Sequence, residues 1–379
     1  MLDSPMDALP AATHESRRLG PPRRLAYGTT GHGDVIPMEI DMPGPLEPGE
    51  VLGAFASLTP CSTDKSNAWG ILGHEIAADK PLILGHEACF QIAESRNPAI
   101  PEGAFMVTLG CDWFGLAGYE KFQPVLACTD PKSIPVEFCS RATYFDPVPR
   151  VKAACVFKDW FSGASLIEPV THVLTSFLHA QLPMFARSIV VLGGGFCGQI
   201  ACIIAKRLFG VRRVTMVDIN TARLDFAVRN RFADEGLDAR DEVALNALVN
   251  QTHGAYADVV FDALPGISSQ QPDSRSLGAR LLRPGGMWVM YAAAQHMLLP
   301  TITLLAKGIT IKGAPYDSRE ISFNQRAAHM GIVHSLIRSD LIPVEVFIAR
   351  RISLFDAEAV RQAVLQHGCG DEIKVEVIR

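Results

Sequence analysis

The sequence predicts an α/β protein that combines an irregular β domain with a doubly wound parallel-sheet domain. Between about residues 25 and 170, short β-like runs at 38–40, 50–58, 90–93 and 105–108 are separated by proline and glycine, as in irregular β structure. Between about residues 170 and 314, strand-like and helix-like segments alternate. Strands are expected at 189–192, 214–217, 257–262, 286–291 and 310–312, a pattern typical of a parallel sheet with helices on both faces. The remaining chain predicts an amphipathic helix over 323–338 and an alternating strand over 373–378.

A Gly-x-Gly-x-x-Gly turn joins the first of these parallel strands to a helix-like segment over residues 199–208. Gly193 supplies the tight turn, Gly195 allows the backbone to approach a pyrophosphate, and Gly198 allows the helix to pack closely on the strand. With Phe196 and Cys197 they form a helix N-terminus that presents free N–H groups and a positive dipole to phosphates. The sequence therefore predicts a dinucleotide site at this turn.

Asp218 ends the second parallel strand, 25 positions after Gly193. Its carboxylate is expected to accept hydrogen bonds from the ribose hydroxyls and to repel a 2′-phosphate, which predicts NAD(H) rather than NADP(H). Arg212, Arg213 and Arg223 lie nearby in the chain, and any one of them that reached a 2′-phosphate would reverse this preference. Arg223 is included among the predicted cofactor-binding residues.

Length and composition limit the class of protein. With 379 residues, of which 48% are hydrophobic and 20% charged, the chain is expected to form about two well-cored domains. A net charge of −5 gives no electrostatic reason to bind nucleic acid or an anionic membrane. The longest apolar stretches have the length of strands and no basic-then-apolar leader is visible, so we expect a cytoplasmic protein without a membrane span. Nine cysteines without regular spacing favour reduced thiols or metal ligands over a disulfide framework.

A second set of candidate residues, Cys61, His86 and Glu168, lies outside the parallel-sheet domain. Cysteine, histidine and carboxylate are the ligand types of a catalytic zinc, which keeps a fourth position for water or a substrate oxygen. By residue type alone, the same three positions also suit a buried thiol, a strand-edge histidine and a helix-start carboxylate.

The order of these motifs resembles the zinc-dependent medium-chain alcohol dehydrogenases, most closely their sorbitol and polyol branch. The resemblance covers nearly the whole chain and is carried by residues 61–64, 84–87, 165–169, 258–263, 281–286 and 305–313. It implies a GroES-like catalytic domain beside a Rossmann domain, with one catalytic zinc per chain and NAD as cofactors. It also implies a small alcohol or ketone as substrate.

The resemblance assigns a role to each site residue. Cys61 and His86 would be zinc ligands, and Glu168 a ligand directly or through water. Glu87 would be a carboxylate beside the metal, and Thr63 the hydroxyl that takes the substrate proton. Zinc would polarise the alcohol oxygen while NAD takes hydride from the carbinol carbon. The predicted reaction is hydride transfer between a secondary alcohol and NAD, the alcohol being a sugar alcohol, a cyclitol or a related specialised metabolite.

Several positions depart from the family pattern. His74 is an alternative ligand, but the segments around His86 match the family better. Ser66 stands where some relatives have a histidine in the proton relay, so the relay would end in solvent or at the ribose. The lobe over residues 109–150 has only Cys111, Cys128 and Cys139, too far apart for the family's structural zinc clip. His172 and His179, after Glu168, are expected to be core or cap residues.

The predicted domains are a flexible tail over residues 1–25, a catalytic domain over 26–169 and 316–379, and a Rossmann domain over 170–315. In relatives the strand corresponding to 310–312 pairs across a two-fold axis, which predicts a homodimer or homotetramer. Two alternatives stay open: a zinc-free medium-chain reductase of activated double bonds, and a non-catalytic NAD-binding sensor or scaffold. Zinc content and turnover of an alcohol would separate them from the dehydrogenase.

Overall fold

The computed structural model describes residues 23–72, 76, 80–98, 100–109, 116, 118–127, 134–140, 150–182, 186–264, 274–292, 299–314 and 323–379. The predicted tail therefore lies outside the described residues as far as residue 22. None of the described helices combines the length and the apolar composition that a membrane crossing requires.

The first half of the chain forms two mainly antiparallel sheets. Its elements are β1 Arg23–Thr29, β2 Ile36–Asp41, β3 Val51–Leu58, α1 Ser62–Ala68, β4 Leu82–Ile83, β5 Ala88–Ser95, β6 Phe105–Leu109, β7 Tyr119–Ala127, β8 Ile134–Ser140 and β9 Arg150–Phe157. The small sheet has the order β2-β1-β4, and the larger one runs β3-β5-β6-β9-β8-β7. Because β7 also pairs with β3, these six strands close into a barrel and leave no free edge among themselves.

The middle of the chain forms a six-stranded parallel sheet. Its elements are α2 Ile167–Ala180, β10 Ser188–Leu192, α3 Phe196–Ile203, β11 Arg213–Asp218, α4 Thr221–Arg229, β12 Glu235–Asp238, α5 Glu242–Gln251, β13 Ala257–Asp262, α6 Ser274–Leu281, β14 Leu282–Met290, α7 Thr301–Ala306 and β15 Thr310–Gly313. The strand order β12-β11-β10-β13-β14-β15 reverses direction between β10 and β13. This is the doubly wound order of a Rossmann sheet, so the predicted fold class is confirmed. In such sheets ligands bind at the point where the strand order reverses.

The end of the chain returns to the barrel. Its elements are α8 Phe323–Arg338, β16 Ile348–Ser353, α9 Ala357–Leu365 and β17 Lys374–Ile378. Strand β17 pairs antiparallel with β3, through Val377 opposite Leu58, and parallel with β16. Helix α8 packs against α2 and β9. This arrangement fits a catalytic domain built from two chain segments, although the predicted boundaries themselves stay a prediction.

One hydrophobic cluster extends from the barrel to the parallel sheet. It includes Val107 of β6, Val170 and Phe177 of α2, Val191 of β10 and Ile200 of α3, all buried. Helix α2 lies between the two halves, and 12 of its 14 residues are buried, including polar ones such as Glu168 and His172. The side chains at the start of α2 therefore lie where the barrel and the dinucleotide sheet meet.

Candidate active site

The glycine turn after β10 has the geometry that the sequence predicts for a dinucleotide site. Gly193 has a φ of +98°, a conformation that favours glycine. A Cβ on Gly198 would lie 1.8 Å from the carbonyl oxygen of Gly193, so only glycine allows the helix to pack here. A Cβ on Gly195 would meet nothing within 4 Å, which leaves an open surface where α3 begins. The turn thus fits a pyrophosphate through its backbone N–H groups.

The Asp218 carboxylate lies against this turn. One of its oxygens accepts from the amide of Gly194 at 2.5 Å, and the other accepts from the amide of Asn220 at 2.7 Å. Asp218 therefore connects the glycine turn to the start of α4. Arg223, one turn into α4, donates through Nη2 to the carbonyls of Gly368 and Gly370.

The remaining turn residues contact the sheet and the barrel side. Phe196 packs edge-on against Phe347, with ring centroids 5.2 Å apart. The hydroxyl of Tyr291 donates to Cys197 Sγ at 3.5 Å. Burial raises the pKa of the Cys197 thiol to about 12, so this side chain is a neutral thiol at neutral pH.

Cys61 and His86 come together at the edge of the barrel. Cys61 caps helix α1: its Sγ accepts from the amide of Thr63 at 3.2 Å, and its own amide donates to Asp64 at 2.9 Å. The second oxygen of Asp64 accepts from the amide of Gly85 at 2.9 Å. The buried Asp64 carboxylate thus joins the two segments that carry the candidate ligands, and it holds Cys61 Sγ 3.2 Å from His86 Nε2.

The geometry of this pair fits zinc. Bonds of about 2.3 Å to sulfur and about 2.0–2.1 Å to nitrogen at a tetrahedral angle separate two ligand atoms by about 3.5 Å. Asp64 is the third member of the potential metal cluster, whose ligand atoms lie within 4.8 Å of one another. The oxygens of Asp64 already accept two amide hydrogens, which fixes the carboxylate. Its Oδ1 lies 3.8 Å from His86 Nδ1, so Asp64 is placed to orient the histidine.

The surroundings of Cys61 also affect its protonation. Burial, together with the nearby carboxylates of Asp64 and Glu87, raises the pKa of the Cys61 thiol well above its ordinary value. A thiolate in this environment requires a positive partner, which a metal ion would supply.

Glu168 lies on the first turn of α2, and its Oε1 is 3.0 Å from Nε2 of His172, one turn further along. Burial alone would raise the pKa of Glu168, but the charge and hydrogen bond of His172 lower it below its ordinary value. Among the described residues Glu168 does not join the cluster of Cys61, Asp64 and His86. Its role as a third ligand, direct or through water, stays a prediction.

Glu87 forms an ion pair that the sequence did not suggest. Its Oε2 lies 2.5 Å from Nζ of Lys374, the first residue of β17, with only 2% of the lysine side chain exposed. Thr59 donates to the same oxygen at 2.7 Å, and Lys374 also donates to the carbonyl of Pro60 at 3.2 Å. Burial would lower the pKa of Lys374, but Glu87 and Cys61 raise it above its ordinary value, so Lys374 is charged.

Comparisons with known proteins agree with this geometry. A family model described as zinc-binding dehydrogenase matches residues 197–328. Over 372 residues the chain is 30% identical to the probable D-xylulose reductase A of Neosartorya fischeri, covering 93% of this chain and 96% of that protein. The chain belongs to the zinc-dependent medium-chain dehydrogenases. The predicted resemblance to the polyol branch of this family is therefore confirmed.

Solved structures show the same fold. Galactitol-1-phosphate dehydrogenase of Escherichia coli superposes with a TM-score of 0.66 at 20% identity, covering 94% of this chain and 100% of that chain. L-idonate 5-dehydrogenase of Escherichia coli gives a TM-score of 0.66 at 17% identity, covering 94% and 98%. Membership in this dehydrogenase family, together with the Cys61–His86 geometry, confirms zinc and a nicotinamide dinucleotide as the cofactors.

Other predictions for this dehydrogenase concern positions around the site. Thr63 is half-buried on the first turn of α1, two residues after Cys61, and Ser66 follows one turn later. His74, Cys111 and Cys128 lie outside the described residues, and so does the side chain of Cys139 in β8. The predictions on an alternative ligand and on a structural zinc are therefore not tested.

Sequence reasoning missed Asp64 as an orienting group and Lys374 as the partner of Glu87. One signal was available for the lysine. Lys374 and Glu376 alternate with valines in a strand whose residues are buried on both faces, and buried charges require partners. The partner itself could not be found from the sequence, because 287 residues separate Glu87 from Lys374.

Proposed function

We propose that this protein is a zinc-dependent alcohol dehydrogenase that transfers hydride between a secondary alcohol and NAD. One observation carries the proposal: the buried Lys374 borders both halves of the site. Its Nζ contacts Glu87, next to the candidate ligand His86, and lies 5.1 Å from the ring centroid of Phe196, the first residue of α3. The candidate zinc site and the dinucleotide turn are thus adjacent, as hydride transfer requires.

In this mechanism Cys61 and His86 would hold the metal, with Glu168 as the third protein group. Bound zinc supplies Lewis acidity at the alcohol oxygen, and bound NAD accepts the hydride. Thr63 would receive the hydroxyl proton, and the relay would then end in solvent or at the ribose, because Ser66 stands where some relatives have a histidine. The opposite charges of Glu87 and Lys374 cancel, so this wall of the site is polar but carries no net charge. Asp64 keeps Cys61 and His86 in place, so that little reorganisation is needed on binding.

We propose a polyol or its ketose as the substrate class. The support is the set of relatives named D-xylulose reductase, one of which aligns over 93% of this chain. The lobe over residues 109–150, where the chain departs from the family pattern, would adapt the cleft to a particular alcohol. NAD is proposed over NADP because the Asp218 carboxylate stands at the glycine turn and would repel a 2′-phosphate.

We also propose that the protein acts as a homodimer or homotetramer in the cytoplasm. Strand β15 is at the edge of the parallel sheet, and helix α7, which precedes it in the chain, exposes Ile302 and Leu305. Exposed apolar side chains and an unpaired sheet edge in the described chain both favour association with a second copy. The described thiols that form no disulfide, such as the exposed Cys369, suit a reducing compartment.

The test is to measure zinc content, alcohol oxidation with a polyol panel that includes xylitol, and NADH binding, in the wild type and in Cys61→Ser. We expect about one zinc per chain in the wild type. Cys61→Ser should lose zinc and oxidation but keep NADH binding, because the thiolate ligand and the dinucleotide turn belong to different domains. Cys369→Ser, which replaces an exposed thiol, is the matched control. It should leave zinc content, alcohol oxidation and NADH binding unchanged.

Each alternative gives a different result. Reduction of an activated double bond by zinc-free protein would establish the reductase instead. NADH binding without turnover of any alcohol would establish the sensor or scaffold. Two zinc ions per chain would restore a structural site in the lobe.

A further inference from the structure

The loop between α9 and β17, residues 366–373 and here named the C-terminal loop, is held from two sides. From the barrel side, Lys65 Nζ donates to the carbonyl of His367 at 3.0 Å and to Sγ of Cys369 at 3.2 Å. From the parallel-sheet side, Asn220 Nδ2 donates to the carbonyl of Gly370 at 2.9 Å. Lys65 is on the helix that begins after Cys61, and Asn220 follows Asp218 by two residues. The loop thus spans the gap between the two domains beside the predicted ribose position.

Arg223 makes two further contacts with this loop. Its Nη2 donates to the carbonyl of Gly368 at 3.0 Å and to that of Gly370 at 2.9 Å, which uses both hydrogens of this nitrogen. Gly368 and Gly370 have φ values of +74° and +70°, and these left-handed conformations direct the two carbonyls toward the guanidinium.

The same arginine lies beside the group that selects the cofactor. A Cβ on Gly194 would be 3.1 Å from Cβ of Arg223 and 3.2 Å from Oδ2 of Asp218, so all three residues meet at the glycine turn. Arginine near this position is the group with which dinucleotide sites accommodate a 2′-phosphate. It does so through two parallel N–H bonds, from either Nε with Nη2 or Nη1 with Nη2. Both pairs include Nη2, the nitrogen that the C-terminal loop occupies.

We propose that the C-terminal loop is a specificity element that keeps Arg223 from binding the 2′-phosphate of NADP. This inference rests on the proposed NAD-dependent function and extends it from Asp218 to a segment about 150 residues away in the chain. Repulsion by Asp218 and occupation of Arg223 act independently. Removing the Asp218 charge alone therefore leaves the enzyme without a cation that is free to bind the 2′-phosphate of NADP.

Of the other two arginines near this position, one is also engaged. Arg213 lies over the ring of Tyr256, 4.0 Å from its centroid, and donates to the carbonyl of the same residue. Arg223 meets Asp218 at the glycine turn and is held by the C-terminal loop, so it is the cation that release of this loop would make available there.

The experiment is a fluorescence titration of NADH and NADPH binding to four variants of the full chain. Asp218→Ser removes the repelling charge. Asp218→Ser with Gly368→Val and Gly370→Val also disturbs the loop, because valine rarely adopts a left-handed φ, while a Cβ at either glycine meets nothing within 4 Å. A third variant adds Arg223→Ala to this set. The fourth combines Asp218→Ser with Gly103→Val, which places the same strain at a glycine with φ of +79° remote from the loop.

We expect Asp218→Ser to gain little NADPH affinity and the loop variant to gain about tenfold more, the worth of one charge-assisted phosphate contact. Arg223→Ala should cancel that further gain, and Gly103→Val should not reproduce it. The inference is overturned if the loop variant binds NADPH no better than Asp218→Ser, or if its gain survives Arg223→Ala. Because binding is measured without turnover, absence of alcohol oxidation would refute the proposed dehydrogenase and leave this result intact. Absence of binding of either nucleotide to the wild type would refute the cofactor site and this inference together.

Discussion

Glu168 and His172 face each other across one turn of α2, with Oε1 of the glutamate 3.0 Å from Nε2 of the histidine. Both side chains are buried, at the point where the barrel and the parallel sheet meet. His172 therefore fixes the orientation of the Glu168 carboxylate and keeps it ionised, so a residue expected from the sequence to be part of the core also positions this carboxylate.

The first prediction concerns zinc retention. His172→Leu should lower zinc affinity about 10–100-fold, the usual cost of removing a group that orients a metal ligand. Competition with a chromophoric chelator measures this affinity. His172→Gln keeps a hydrogen-bond donor and should recover most of it. His179→Leu, two turns further along α2, is the control and should resemble the wild type. Unchanged zinc affinity in His172→Leu would show that Glu168 does not contribute to the metal site.

The second prediction concerns the Glu87–Lys374 pair. Lys374→Met leaves the buried Glu87 carboxylate without its cation and should lower the free energy of unfolding by about 3–5 kcal/mol, measured by urea denaturation. Adding Glu87→Gln should restore much of this loss, because the unpaired charge is then removed. Lys312→Met, which loses one bond to the carbonyl of His179, should cost about 1 kcal/mol. Equal losses for the two lysine variants would refute the buried ion pair.

The third prediction separates two glycines of the dinucleotide turn. Gly198→Ala should destabilise the fold and weaken NADH binding, because its Cβ would lie 1.8 Å from the carbonyl oxygen of Gly193. Gly195→Ala should keep the wild-type melting temperature, because its Cβ meets no protein atom within 4 Å. It should nevertheless weaken NADH binding, since the pyrophosphate approaches the backbone at this position. Wild-type affinity in Gly195→Ala would place the phosphates elsewhere.

The fourth prediction concerns assembly. The side chains of Ile302 and Leu305 on α7, the helix before the edge strand β15, are 85% and 81% exposed. Replacing both with glutamate should convert an oligomer into the 41.1 kDa monomer in light scattering. Val243→Glu, on α5 and 82% exposed, is a control that should leave the assembly unchanged. A monomeric wild type at micromolar concentration would rule out the proposed dimer or tetramer.

Local patterns determined the parts of this protein that depend on neighbours in the chain. The strands β10, β11 and β13 and the helix Phe323–Arg338 lie where periodicity predicts them, because most of their buried side chains are apolar. The glycine turn was identifiable because Gly193, Gly195 and Gly198 are close in the chain and contact one another or adjacent backbone. The short strand β12, with the sequence Glu-Gly-Leu-Asp, was missed because pairing with β11, and not its own pattern, makes it a strand.

The candidate ligands Cys61 and His86 could be named from the sequence, but the group that joins them could not. Asp64 accepts from the amides of Cys61 and Gly85, and only the folded barrel brings these amides together. The same holds for Lys374 beside Glu87 and for Gly370 beside Arg223. Spacing along the chain predicts contacts within a turn or a hairpin. The partner of a buried charge instead depends on which distant segments the β3–β17 and β3–β7 pairings bring together. The sequence thus determined the type of chemistry, and the tertiary structure decided which residues orient and restrain it.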